Sequence, residues 1–470
     1  MKIYNTLARE KQEFIPQEDK KVKMYVCGPT VYDYIHIGNA RPMVVFDTFR
    51  RYLQYLGYEV KYVVNFTDVD DKIINKAIKE NVDFRQITEK YINAFMEDAK
   101  DLNLDEKDTI HPKATETMDD IIQFVKELED MGAAYNVDGN VYFDVSKAKG
   151  YGKLSGKKIE DLIAGASNRV DENSEKKNPT DFALWKKTKL EKEPSWQSPW
   201  GKGRPGWHIE CSTMSRKYLG DTLDIHAGGE DLEFPHHENE IAQSETLNKK
   251  PFANYWMHNG MIQVSGTKMS KSLGNFFTLH DIKKEFDLMV IRFWLLSSSY
   301  RLPINFTREI IEQAKNSLDR LNNARFRMDE LLENTKGSLK ESEKSHIEYL
   351  DKLEDRFKEV MDDDLNTADA ITVLFDIVKF ANTNLNNDSS NELVNYTLEM
   401  FIRLENVLGI ENRKKDISDL DIEKIEEMIE QRAKAKKEKN YALADSIRDK
   451  LDSIGIAIKD TREKTTRERK

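Results

Sequence analysis

Thiols are scarce in this chain. Among 470 residues there are two cysteines, Cys27 and Cys211, and no short CxxC pair. A disulfide framework is excluded; one bridge at most is possible, and so few thiols point to a reducing compartment. The N-terminal stretch MKIYNTLAREKQEF has no apolar core of the kind a secretory signal needs. No uninterrupted apolar run reaches bilayer-spanning length. The chain is therefore expected in the cytoplasm, with no membrane partner. A basic excess is missing too: 73 Lys and Arg stand against 84 Asp and Glu, for a net charge of −11. That excludes a protein that coats nucleic acid through its overall charge, but not a local basic patch. Length excludes a single hydrophobic core and suggests about three domains. No internal repeat of fixed period is visible.

What is present begins with YVCGPTVYDYIHIGN, Tyr25 to Asn39. Val22, Met24 and Val26 alternate before it as in a strand. Val44, Val45, Thr48, Phe49, Tyr52, Leu53 and Leu56 follow at helical spacing, with Gly57 as a C′ residue. Pro42 reads as an early helical proline whose missing N–H would be unpaired anyway. Val60, Tyr62, Val64 and Phe66 then alternate again. Strand, helix, strand makes a βαβ unit, with the helix N-terminus at the carboxyl ends of the strands, where open α/β sheets bind nucleotides.

Residues from about Asp83 to Glu129 read as helical. Gly132 to Trp200 is choppier, with DGNVYFDV as a hairpin-like piece, and reads as an insertion between two halves of a nucleotide-binding fold. Leu223 to His226 reads as a strand, His236 to Ser244 as a helix and WMHNGMIQV as a strand. From Thr307 to Asn406 the chain is nearly glycine-free, which suits a helix bundle. A charged linker, ENRKKDISDLD, precedes a last small unit, where Arg432, Lys434, Lys436, Lys437 and Lys439 form a basic stretch.

Two chemistries can be read from these residues. Glu240 lies four positions after His236 and three after His237, so either pair can share a helix face. Two thiolates, one imidazole and one carboxylate would make a tetrahedral site suited to zinc. Singly, each residue has an ordinary reading: a small buried Cys, or a solvated helix face. HIGN alone is a common strand-to-helix turn, and KMSKS, Lys268 to Ser272, alone is a surface loop. Together they make a specific pair of phosphate grips, since KMSKS puts two mobile ammonium groups on a glycine-flanked loop.

These residues carry a resemblance. MYVCGPTVYDYIHIGNARP, NFTDVDDKI, NPTDFALWK, GRPGWHIECS, DIHAGGEDLEFPHHENEIAQ and KMSKSLGNFF resemble the cysteinyl-tRNA synthetases, a class I aminoacyl-tRNA synthetase family, over nearly the whole chain. The resemblance implies an α/β fold: a Rossmann-type doubly wound parallel sheet with an inserted subdomain, then an α-helical bundle and a small C-terminal anticodon-binding domain. The implied boundaries are 1–115 and 201–262 for the two catalytic halves, 116–200 for the insertion and 263–306 for the KMSKS loop and stem-contact region. The tRNA-binding bundle spans 307–410 and the terminal domain 411–470. The resemblance puts one Zn2+ per chain on Cys27, Cys211, His236 and Glu240. It implies catalytic roles for His36, Asn39, Lys268 and Lys271. These four bind ATP, as its Mg2+ complex, together with Gly38, Gly228 and Gly229. Thr67, Trp207, His226 and Asp231 would frame L-cysteine. Lys436, Tyr441 and Asp445 would meet tRNA(Cys), and the chain would be a monomer. Three departures stand out. Asn39 replaces the last histidine of the class's HIGH signature. Tyr441 stands where the family often has tryptophan. The tail DTREKTTRERK lacks the usual tryptophan. The alternatives are a ligase passing the same adenylate to an amino sugar, and a catalytically silent tRNA-binding paralogue.

Overall fold

Val22, Met24 and Val26 are buried along Lys21–Val26 (β1), as in a strand covered on both faces. The computed structural model describes residues 1–158, 175–189, 193–264, 267–268, 277–411, 419–437, 440–453, 456–460 and 465–469. After β1 the chain turns into helix Ile37–Tyr55 (α1), which ends at Leu56 and Gly57, the latter at φ 82°. Pro42 is the sixth residue of this helix rather than a first-turn residue, because the helix starts directly after His36. The Gly38 carbonyl therefore lacks its usual helical donor. Glu59–Val64 (β2) pairs parallel to β1, from Lys21 opposite Glu59 to Val26 opposite Val64.

Helices Asp71–Glu80 (α2) and Phe84–Asp101 (α3) follow, then strand Thr109–Ile110 (β3) beside β2, and helix Met118–Asp130 (α4). The helical stretch expected from Asp83 to Glu129 is thus two helices. Asn103, at φ 55°, leaves the helical region, and the chain between them returns to the sheet. Ala134–Val137 (β4) and Asn140–Phe143 (β5) form the hairpin expected at DGNVYFDV. Its two turn residues, Asp138 and Gly139, both have positive φ, which matches the twist of the strands. Phe182–Lys187 (β6), Trp196–Ser198 (β7) and Gly201–Pro205 (β8) complete an antiparallel sheet in the order β4-β5-β6-β8-β7. This sheet runs past the boundary expected at 200, because β8 pairs with β6.

Trp207–Leu219 (α5), Leu223–Gly229 (β9), Glu238–Asn248 (α6) and Ala253–Asn259 (β10) return the chain to the central sheet. Its order is β10-β9-β1-β2-β3, all parallel. The helix expected from His236 begins at Glu238. His236 and His237 lie in the wide turn Glu233–His237 before it. The strand expected across WMHNGMIQV breaks at Gly260, where a Cβ would come 2.6 Å from the Arg301 carbonyl oxygen. Ile262–Val264 (β11) then pairs with Thr267–Lys268 (β12) and, beyond helix Leu288–Leu296 (α7), with Ile304–Phe306 (β13).

Helices Arg308–Asn334 (α8), Lys344–Asp362 (α9), Thr367–Asn384 (α10) and Asn391–Leu408 (α11) form the bundle. Their buried faces join the main core through Leu318, Leu321, Phe357, Leu374 and Phe401. Asp419–Lys437 (α12), Tyr441–Ser453 (α13) and the hairpin Ile456–Asp460 with Thr465–Arg469 follow. They have a small core of their own around Ile447 and Leu451. Among the described residues, no helix is long and apolar enough to cross a membrane.

Candidate active site

β1 and β9 are neighbours, yet the chain between them runs to the far edge of the sheet and back. Their carboxyl ends open a crevice where the strand order reverses, the usual ligand position in such sheets. A cleft of about 310 Å³ lies there. Cys27 and Gly28 enter it from the end of β1, Thr67 from beyond β2, and His36, Gly38 and Asn39 from the start of α1. Trp207 and Cys211 enter from α5, and Gly229, Asp231 and His236 from beyond β9. Gly28 is required where it stands: a Cβ would lie 1.7 Å from the Asn65 carbonyl oxygen.

At the floor, Cys27 Sγ lies 3.9 Å from Cys211 Sγ and 3.5 Å from Glu240 Oε1. His236 Nε2 is 3.0 Å from the same oxygen. All four side chains are buried, and their donor atoms lie within 4.8 Å of one another. A tetrahedral zinc with ordinary bond lengths sets sulfur to sulfur at about 3.8 Å and sulfur to oxygen at about 3.6 Å. The donors fit that spacing. A hydrogen bond from Cys27 draws the Cys211 thiol down to about 6. Burial pushes Cys27 itself well up. Burial would also raise Glu240, but His226 and His236 outweigh it and hold the carboxyl at about 2.

Three of the four donors have an outer partner of the kind that orients ligands. His226 Nε2 lies 2.9 Å from Glu240 Oε2. His208 Nδ1 lies 2.9 Å from His236 Nδ1, and the Trp207 ring stacks on His236 at 4.5 Å. Asn65 Oδ1 accepts from the Gly28 N–H at 2.9 Å and lies 3.8 Å from Cys211 Sγ. A second grouping, Cys27, His226, His237 and Glu240, is equally compact. It has one thiol instead of two. Neither His226 nor His237 lines the cleft, and His237 Nδ1 is bound up with His258 at 2.8 Å. The first grouping is the one that opens to a ligand.

At the opposite wall, His36 caps α1 with extended backbone (φ −93°, ψ 165°). Its N–H donates to Asn39 Oδ1 at 3.3 Å, so Asn39 braces the helix start. The Ile37 N–H donates to the Phe277 carbonyl, and the Asn39 and Ala40 N–H groups to that of His36. Gly38's N–H is the first-turn donor with no protein acceptor among the described residues. The Leu279 N–H donates to Ile35 O at 2.9 Å, so the chain beyond KMSKS returns to the HIGN turn. Lys268 ends β12, whereas its side chain and all of Lys271 lie outside the described residues.

Not every expected residue reaches the cleft. His226 sits behind Glu240. Gly228 is buried, and a Cβ there would meet His237 at 3.0 Å. Lys436, Tyr441 and Asp445 are exposed on α12 and α13 in the C-terminal unit. The cleft also holds residues that sequence reasoning passed over. Lys72 lines it, its Nζ 5.3 Å from the Tyr32 ring centre. Asn65 and His208 lie inside the quoted motifs, but no spacing rule singles them out.

The model of the class I (C) tRNA synthetase catalytic domain matches residues 13–316, and that of the DALR domain residues 356–412. The chain is 61% identical to a cysteine–tRNA ligase of Finegoldia magna over 463 residues, 98% of each protein. The chain belongs to the cysteine–tRNA ligase family. A Clostridioides difficile member of this family is 54% identical over 465 residues, again 98% of each. Solved class I structures share the fold at low identity. Mycobacterium tuberculosis methionyl-tRNA synthetase in complex with methionyl-adenylate has a TM-score of 0.60 at 14% identity, covering 83% of this chain and 91% of that one. The Agrobacterium radiobacter K84 LeuRS–tRNA–LeuAMS ternary complex has 0.59 at 12%, covering 85% of each. The family match extends over the C-terminal unit, which an amino-sugar ligase reading would leave without a role.

Proposed function

We infer that this chain activates L-cysteine with ATP and passes the cysteinyl group to the 3′ end of tRNA(Cys). The observation that carries this reading is the meeting, in one cleft, of a buried two-thiol, imidazole and carboxylate set with the HIGN turn. In the first step the cysteine carboxylate attacks the α-phosphorus of Mg2+-bound ATP; an O–P bond forms and pyrophosphate leaves. The carboxylate is already ionised, so no protein base is needed. Catalysis is then positioning plus stabilisation of charge at phosphorus. His36 and the Gly38 N–H serve the phosphate side, braced by Asn39, with Gly229 nearby and Gly228 shaping the strand end. Lys268 and Lys271 serve the departing pyrophosphate. In the second step a tRNA hydroxyl attacks the adenylate carbonyl and AMP leaves.

Serine differs from cysteine by oxygen for sulfur, and packing alone separates such pairs by only about 10- to 200-fold. Zinc held by Cys27, Cys211, His236 and Glu240 supplies a soft Lewis-acidic centre that prefers a thiolate to a hydroxyl. Trp207, stacked on His236, together with Thr67 and Asp231, frames the rest of the amino acid. His226 acts through Glu240. We assign tRNA contacts to the bundle (307–410) and the C-terminal unit (411–470), where Lys436, Tyr441 and Asp445 are exposed. A tyrosine that is 62% exposed can stack on an unpaired base. We place the chain in the cytoplasm as a monomer, which rests on its scarce thiols and its kinship with tRNA ligases; sedimentation checks the second point.

Cysteine-dependent exchange of pyrophosphate into ATP tests the first step, and charging of purified tRNA(Cys) tests the second. Exchange without charging would turn the reading toward another acceptor for the adenylate. Neither activity would leave a tRNA binder.

A further inference from the structure

Arg41 is the fifth residue of α1 and is wholly buried. A buried guanidinium is costly unless its donors are met. Among the described residues no carboxylate lies within ion-pair distance of it. Its fork reaches four main-chain carbonyls instead. Nη1 donates to Gly260 at 2.6 Å and Met261 at 3.2 Å, and Nη2 donates to Leu302 at 2.6 Å and Ser299 at 3.2 Å. Gly260 and Met261 join β10 to β11, the strand that leads to Lys268, and both line the cleft. Ser299 to Leu302 precede β13, which pairs with β11. The same joint is closed by the Gly260 N–H on Tyr300 O at 2.9 Å and the Ile304 N–H on Met261 O at 3.1 Å. One side chain, on the helix capped by His36, therefore gathers the backbone that leads into the Lys268 hairpin and the one that leads into β13 beside it.

We propose that Arg41 is a positioning residue for adenylate formation: it fixes the base of the Lys268 hairpin relative to His36, and so the span across which the ATP phosphates are held. This rests on the cysteine–tRNA ligase reading. Arg41 acts through Gly260 and Met261 and touches neither substrate. Lysine is a poor substitute, since a single ammonium cannot span four carbonyls in a planar fork. The role is confined to the first step, because pyrophosphate has gone before transfer.

The test uses the zinc-loaded full-length enzyme with Arg41→Lys and, separately, Gly260→Ala. The alanine keeps the buried charge but crowds Arg301 and Leu302 across the same joint. Pyrophosphate exchange reports adenylate formation. Single-turnover transfer from enzyme-bound cysteinyl-adenylate to tRNA(Cys) reports the second step. Exchange is expected to fall about ten- to a hundred-fold in kcat, with transfer within about twofold of wild type, as for a misplacement remote from the reacting atoms. Zinc per chain and the dissociation constant for cysteine should hold. Equal losses in both steps, or wild-type exchange in both variants, overturn the proposal. If Arg41→Lys does not fold, Gly260→Ala decides alone. If neither folds, the arginine serves folding and the proposal falls. Wild-type enzyme that neither exchanges nor charges would instead refute the ligase reading, whatever Arg41 does.

Discussion

Two buried polar clusters in this protein differ in how their charges are met. At Asp47 a carboxylate is ringed by cations and donors: Arg292 Nη2 at 2.7 Å, Arg51 Nε at 2.9 Å and the Asp105 N–H at 3.0 Å. Arg292 directs its other hydrogens to the Leu408, Leu102 and Asn103 carbonyls and so ties α1, α3, α7 and α11 together. Asp47 and Arg292 at its centre are buried, and the carboxylate has more than one guanidinium against it, with Arg51 and Asp105 at the rim. At Cys27, Cys211 and Glu240 the converging atoms are mostly acceptors, only His236 among the four can offset them, and the cluster borders a cleft. The first cluster is complete as it stands. The second would be completed by a cation at its centre. Burial alone does not separate the two; the sign and direction of the facing groups do.

The strongest way to break the contrast is at the cleft. Cys211→Ser is expected to abolish zinc retention and bring cysteine-dependent exchange to background while ATP binding survives; metal analysis and exchange assays read both. Full activity in metal-free wild type would sink the zinc role. At the Asp47 cluster the loss should be in stability. Asp47→Asn leaves buried arginines uncompensated and should cost about 3–5 kcal/mol in urea unfolding, with zinc content unchanged. The arginines outweigh burial and hold the Asp47 carboxyl at about 2, below its usual 3.8. Its contribution is thus present above pH 4 and lost as pH falls through about 2, so the gap between variant and wild type should close in that window.

Glu240→Gln keeps the shape and removes a charge. It should weaken zinc retention or cysteine affinity by roughly tenfold. If metal content and the cysteine dissociation constant both stay put, Glu240 is not a donor. The smallest effect belongs to an intermediate case. Glu405, buried on α11, is pushed up to about 8 by burial, which Arg325 Nη1 at 3.6 Å offsets only in part. A carboxyl raised in the fold costs stability as pH rises from about 4.5 to 8. Glu405→Gln should therefore gain stability on wild type at pH 8 relative to pH 5, read from unfolding curves at the two values.

Much of this was legible in residue order. Alternation at Val22, Met24 and Val26 marked the central strand, and the helical spacing from Val44 to Leu53 marked α1. Both patterns follow from one face packing on a core. The insertion was legible as a choppier stretch, but of its structure only the Asp138-Gly139 hairpin was; its sheet is made by pairings between β5, β6 and β8, which have no local period. Pro42 was misplaced because the helix start depends on His36 capping it, not on the proline. Asn65, His208 and Arg41 were silent because their partners lie across the sheet or in another segment.

The sequence by itself determined which donors exist, two thiols with a carboxylate three or four residues after an imidazole, and that they fall near strand ends. Those are matters of residue type and periodicity, which are local. Only the tertiary structure decided which neighbouring imidazole opens to the cleft. His236 and His237 are adjacent in a wide turn: Trp207 and His208 of α5 pack on His236, whereas His237 is held by His258 and Trp256 of β10. The tertiary structure likewise joined HIGN to the base of the Lys268 hairpin, because a buried arginine takes whichever carbonyls the fold brings within reach of its fork.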